Sequence, residues 1–124
     1  MILVISGAVP GTILRYLIGN FLSPINGIPI STILINLTGS FLLGIIVTLF
    51  QLRIIDSTYI TLIGIGFCGS LTTMSSFAYE TITILNQSLI LSVGYLTLML
   101  GVVFFSAYIG RLSVYFIYLG ETDK

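Results

Sequence analysis

The chain has no histidine and one cysteine, Cys68, and of its 124 residues only four are Lys or Arg and four Asp or Glu. These shortages exclude chemistry before any motif is considered. With no imidazole, one thiol and four scattered carboxylates, no metal site built from side chains, Cys–His pair or paired-carboxylate acid and base can be assembled within one chain. The formal net charge is zero and the cations are spread from Arg15 to Lys124, which leaves no basic face for nucleic acid. A lone cysteine forms no intrachain disulfide and reads as a small buried hydrophobe. Charged residues are 6% of the chain, against about a quarter in a soluble domain. So few cannot cover a surface in water.

What is present is hydrocarbon: 56% of residues are apolar and the mean hydropathy is +1.18. At about 20 residues per crossing the chain supplies four membrane spans and little else, so the expected fold is all-α and integral to the membrane, as one domain. The spans are predicted at about 2–22, 30–52, 58–85 and 89–119. Ser23-Pro24, Asn26-Gly27 and Pro29 mark the first turn. Arg53-Ile54-Ile55-Asp56 closes the second span, Asn86-Gln87-Ser88 the third, and residues 120–124 form a short polar tail. The apolar run from Met1 has no positive residues ahead of it, as a signal peptide would. It is predicted to be a retained first span.

Orientation follows the loop asymmetry of Lys and Arg, and here the asymmetry is weak. Arg53, Arg111 and Lys124 fall towards the side of both termini, with Arg15 nearer the opposite side. So small a bias permits insertion both ways, and hence a dimer of oppositely oriented copies.

The spans are oily yet carry hydroxyls, twelve Ser and twelve Thr in all. Taken singly, these are packing and helix–helix hydrogen-bonding groups. Clustering changes the reading. Gly64 to Glu80, GIGFCGSLTTMSSFAYE, puts three glycines, five hydroxyls and a carboxylate inside one span. Gly66, Gly69 and Ser70 are predicted to weaken the helix at mid-depth, where irregular backbone survives only if buried in protein or lining a wet cavity. Freed carbonyls there become possible cation ligands, and one chain has too few of them, which points to a symmetry-related copy. A packing kink is the alternative. Thr73, Phe77 and Thr81 follow at steps of four, and Met74 shares a face with Phe77, whose ring is either plain packing or, through its electropositive edge, a contact for a small anion. Asn36, on one face of span two with Ser40, offers two N–H donors, or serves as a link between helices. Arg15 and Glu80 are costly inside a membrane: Arg15 can draw anions to a vestibule, while Glu80 orders hydroxyls or pairs with Arg15. Arg111 is expected to snorkel to the headgroups.

Three segments together resemble the CrcB (Fluc) family of small fluoride channels. They are Gly7-Ala8-Val9-Pro10-Gly11-Thr12-Ile13-Leu14-Arg15-Tyr16, Asn36-Leu37-Thr38-Gly39-Ser40-Phe41, and the stretch from Gly66 to Glu80, which is similar to the family's Gly-x-x-Gly-Gly-x-Thr-Thr-Phe-Ser-Thr-Phe-x-x-Glu. The resemblance implies an antiparallel, dual-topology homodimer in the cell's inner membrane, with two fluoride pores and a structural sodium ion on the two-fold axis, exporting fluoride passively. A heterodimer of two paralogous chains is the variant assembly. By position, the backbone carbonyls of Gly69 and Thr72 from both copies would hold sodium. Asn36 and Phe77 would line the pore, with Thr73, Ser75 and Ser76 near its polar track and Glu80 at its end. Ser106, Thr97 and Tyr95 are the span-four candidates. Three residues depart from the family pattern: Met74 stands where a first Phe is usual, Ser70 replaces a Gly and Ser76 a Thr.

Fluoride is the most strongly hydrated halide, so a selective pore replaces its water with close donors and stays too narrow for chloride; hydroxyls and an amide suit that task. A small dual-topology multidrug exporter is the main rival, but it needs a span-one carboxylate, and this span one has Arg15 and no acid. A noncatalytic membrane assembly subunit is the other. Neither the channel nor its rivals is an enzyme in the hydrolytic or redox sense.

Overall fold

The computed structural model describes residues 1–25 and 27–122, without the side chains of residues 121 and 122. Asn26 of the first turn, and Asp123 and Lys124 of the tail, lie outside the described residues. Four segments are long and apolar enough to cross a bilayer, Ile2–Phe21, Ile30–Gln51, Ser57–Leu85 and Leu89–Gly120. Helices answer the lipid solvent directly, because each satisfies its own main-chain donors and acceptors. The outer surface is correspondingly apolar, with Phe104, Phe105 and Phe116 each about 70% exposed or more.

Helix α1 (Ile2–Phe21) packs on the first half of the third span through glycine. A methyl on Gly7 would overlap the Leu62 carbonyl oxygen, and one on Gly11 would run into Phe67 and Ser70. In the turn that follows, Ile25 and Ile28 exchange main-chain hydrogen bonds of 3.0 and 2.9 Å, with Gly27 at φ 81°.

Helix α2 (Ile30–Gln51) closes with paired reversed bonds: Ile54 N–H donates to Leu49 O at 2.9 Å and Arg53 N–H to Phe50 O at 3.0 Å. That pattern requires a left-handed residue. Here it is Arg53, at φ 58°.

The third span is assembled from pieces: α3 (Ser57–Tyr59), a π-wound stretch (Ile60–Cys68), α4 (Gly69–Leu71) and, after two extended residues, α5 (Met74–Leu85). The backbone opens at Thr72 (φ −69°, ψ 152°) and Thr73 (φ −141°, ψ 117°), beyond the glycines that the sequence marked as the weak point. Gly66 and Ser70 are engaged elsewhere. A methyl on Gly66 would press on the Val4 carbonyl of α1, while Ser70 Oγ bonds back to Gly66 O at 2.7 Å and across to Ala8 O at 3.0 Å.

Helix α6 (Leu89–Thr122) has 34 residues and lies along α2, running in the same direction. The two backbones nearly touch: a methyl on Gly44 would overlap the Ala107 carbonyl oxygen, and one on Gly110 that of Phe41. Phe77, Ile84, Tyr95 and Met99 form the buried apolar cluster, with Ile28, Ile33 and Val103 packed against it. This cluster joins α5 to α6 beside the break.

Candidate functional site

A cavity of about 240 Å³ opens between α2, the break and α6, lined by Asn36 and Ser40, by Thr72, Thr73, Met74 and Phe77, and by Met99 and Val103 among others. Its polar wall follows from the backbone. Asn36 is 6% exposed, and its carboxamide grips both main-chain groups of Thr73: Thr73 N–H donates to Oδ1 at 2.8 Å, and Nδ2 donates to Thr73 O at 3.2 Å. Nδ2 also lies 3.7 Å from Met99 Sδ. A thioether is a weak acceptor, so the hydrogen facing it remains available to a better one.

Thr73 caps α5, its Oγ1 accepting from Ser76 N–H at 3.1 Å. The same hydroxyl donates to Ser76 Oγ at 3.0 Å and stands 3.3 Å from Ser75 Oγ. Three rotatable hydroxyls thus share one helix turn. Phe77 is buried behind them, its ring tilted 54° to that of Tyr95 with centroids 5.6 Å apart. Met74 is 73% exposed at the cavity's open side.

Glu80 ends this row, facing a second small cavity walled by Pro24, Pro29, Tyr79 and Gln87. Of the two roles the sequence allowed it, hydroxyl ordering is what the geometry contains: Thr32 Oγ1 donates to Oε1 at 2.6 Å and Tyr95 OH to Oε2 at 2.7 Å. The carboxylate therefore fastens α2, α5 and α6 together. Arg15 is half-buried on α1 and lines neither cavity.

The span-four residues divide. Tyr95 sits at the site between Phe77 and Glu80, while Ser106 and Thr97 line a separate cleft of about 850 Å³ on the other side of α2 and α6, among Leu37, Phe41, Phe105 and Ile109. Ser106 Oγ donates to Leu37 O at 2.6 Å, and Thr97 Oγ1 to Val93 O at 2.9 Å. Their hydroxyl protons are committed to the helices themselves.

At the break, two amides are diverted. In a continuous helix Thr73 N–H would bond Gly69 O and Ser76 N–H would bond Thr72 O; here they go to Asn36 and to the Thr73 hydroxyl. Gly69 is exposed and Thr72 half-buried. Among the described residues no group of three or more His, Cys, Asp or Glu can hold a metal, so a cation here would be met by main-chain oxygen. Hard oxygen donors of that kind fit an alkali or alkaline-earth ion.

Thr32 and Met99 also belong to this site. Thr32, Asn36 and Ser40 are buried at steps of four along α2, and Ser92, Tyr95, Met99 and Ser106 are buried on α6 at steps of three, four and seven. That helical period was readable. What hid it was the uniform apolarity around it, which gives neither helix a polar face to read from.

Residues 2–111 match the family model described as CrcB-like protein, Camphor Resistance (CrcB). The chain is 38% identical over 111 residues to a fluoride-specific ion channel FluC of Methanococcus maripaludis, covering 86% of this chain and 88% of that one. To the protein of the same name from Shewanella oneidensis it is 36% identical over 118 residues, covering 93% and 95%. With one from Methanopyrus kandleri the identity is 41% over 93 residues, covering 73% and 70%. Full-length agreement at this level leaves the four-span exporter and the assembly subunit without support, and the chain belongs to the CrcB-like family.

Proposed function

We propose that this chain is a passive fluoride-selective channel, not an enzyme, and that it works in the cell's inner membrane as an antiparallel homodimer with two pores. Its family, and its relatives among the fluoride-specific ion channels, support the fluoride reading. One structural observation carries it on this chain's own residues: the 240 Å³ cavity, otherwise apolar, has on one wall the Asn36 amide and the hydroxyl residues Ser40, Thr72 and Thr73 beside the buried Phe77 ring. Fluoride entering there exchanges water for the Asn36 N–H that faces Met99 Sδ and for the Thr73 hydroxyl, and the Ser75 and Ser76 hydroxyls against Thr73 Oγ1, outside the cavity lining, continue the row. Phe77 offers the positive edge of its ring, and Met74, with no ring, lines the opening. Each contact is weak enough to release the ion to the next. Glu80, with both oxygens held by hydroxyls, sets the end of the row, and its negative charge favours release of the anion there over tight binding.

The weak charge bias supports dual insertion, and the open 850 Å³ apolar cleft supports an assembly larger than one chain. Gly69 and Thr72 carbonyls, freed by the diverted amides and doubled by a second copy, are the ligands proposed for a sodium ion at the two-fold axis. When bound, that ion supplies positive charge that ties two breaks together. Arg15, Ser106 and Thr97 are assigned outside the narrowest part, Arg15 as a vestibule charge and the other two at the helix–helix surface. Function follows from a simple cycle: HF enters uncharged from acidic surroundings, ionises inside, and the inside-negative voltage drives the anion out.

Purified protein in lipid vesicles, with fluoride and chloride efflux read by ion-selective electrodes, tests this. Fluoride release with no matching chloride release is expected, reduced by Phe77→Ile with assembly intact. Equal release of both ions, or of neither, would overturn it.

A further inference from the structure

We infer that Asn36 is a positioning residue for the cation site of the third-span break, in addition to any contact it makes with the permeating anion. The inference rests on the sodium reading above. Its basis is competition for one hydrogen-bond acceptor. Gly69 O and Thr73 N–H stand in the i and i+4 relation that an α-helix closes. A sodium ion can use that carbonyl only if the amide goes elsewhere. The amide goes to Asn36 Oδ1 at 2.8 Å, and the same carboxamide returns a bond from Nδ2 to Thr73 O at 3.2 Å. Two bonds from one planar group fix both the position and the tilt of the Thr73 peptide, which holds the extended φ of −141° that keeps the two halves of the span apart. Thr73 repeats the device one turn on, taking Ser76 N–H with its own hydroxyl and leaving Thr72 O open.

Asn36 is suited to hold this position rather than drift from it. It is 6% exposed, and Ile35 beside it 3%, while one turn on a methyl at Gly39 would run into Thr72 Cγ2, so α2 lies directly against the break. A single side chain therefore carries both the N–H that faces Met99 and the oxygen that holds the Thr73 amide away from the Gly69 carbonyl. Sodium occupancy and the pore donor are coupled through one residue.

The test uses the full-length protein in detergent micelles, with thermal unfolding followed as sodium chloride replaces N-methylglucamine chloride at constant ionic strength. Asn36→Asp keeps an acceptor for Thr73 N–H, whereas Asn36→Leu keeps none. Released from its acceptor, the Thr73 amide competes for Gly69 O, and a hydrogen bond of ordinary net strength raises the half-maximal sodium concentration roughly three- to tenfold. We expect that rise in Asn36→Leu and a requirement within about twofold of the parent in Asn36→Asp, although both lose fluoride flux. A role in packing alone would lower the unfolding temperature equally at every sodium concentration and leave the midpoint in place, which would overturn the inference. If the parent protein shows no sodium response, the sodium reading itself falls, a result distinct from a responsive parent with unmoved variants. Should Asn36→Leu not accumulate as folded protein, Asn36→Ala, which also removes the acceptor, takes its place: a midpoint raised at least threefold upholds the inference, and an unmoved one overturns it.

Discussion

Removing the two donors from Glu80 without changing the shapes around it asks how strongly this carboxylate fastens the fold. Tyr95→Phe deletes the hydroxyl 2.7 Å from Oε2, and Thr32→Val the one 2.6 Å from Oε1; Tyr95 and Thr32 are 3% and 4% exposed, so water cannot readily take their place. A hydrogen bond to a charged group contributes about 1.5–3 kcal/mol, whereas hydrogen bonds between membrane helices average about 0.6 kcal/mol. The membrane values reach at most about 1.7 kcal/mol, so a cost of about 2 kcal/mol or more marks the bond to a charge. With Glu80 accepting as a carboxylate, each single substitution should cost about 2 kcal/mol. The double substitution should exceed the sum of the singles, because the second loss leaves the charge with no donor at all. Reversible unfolding in mixed micelles of a mild detergent and SDS, followed by circular dichroism, measures each. In the Glu80→Gln background the cost of Tyr95→Phe should shrink to well under 1 kcal/mol. A coupling energy between Tyr95 and Glu80 below about 0.5 kcal/mol would refute the view that this residue joins three helices through its charge.

Other substitutions probe separate parts of the molecule. Gly110→Val drives a branched side chain into the Phe41 carbonyl and is expected to cost at least the 1–3 kcal/mol typical of overpacking; Gly19→Val, where nothing stands within 4 Å, is the control and should change stability by little beyond propensity. Arg53→Gly relieves a left-handed arginine at φ 58° and is expected to stabilise α2 by up to about 1 kcal/mol, seen as a small rise in unfolding temperature. Met74→Phe returns a ring to the open side of the cavity and is expected to raise fluoride flux in vesicles with no change in stability, since the side chain is 73% exposed.

The four helices were legible because lipid leaves so little choice: a run of about 20 apolar residues has one stable solution. The interruption of the third span was legible too, from glycines and hydroxyls out of place among aliphatics. Its address was not. Gly66 and Gly69 read as breakers, yet the chain parts at Thr72 and Thr73, since the deciding contact comes from Asn36, 37 positions away, and a local pattern carries no sign of a partner on another helix. Glu80 was legible as a residue needing company, and its hydroxyl-ordering role was among the options; Thr32 and Tyr95 as its donors were not, because each is one of many similar groups in sequence. Ser106 and Thr97 show the converse. Hydroxyls attract notice in an apolar span, but the nearest carbonyl of a helix is often the partner they find.

Helices α2 and α6 form a partition with a different opening on either side, the cavity that holds Asn36 and Thr73 against α5 and the cleft that holds Ser106 and Thr97 facing away. Their spacing is set where Gly44 and Gly110 allow backbone to meet backbone. Widening that crossing by the breadth of one methyl group would therefore reshape the cavity and the cleft at once, so neither can be altered there alone.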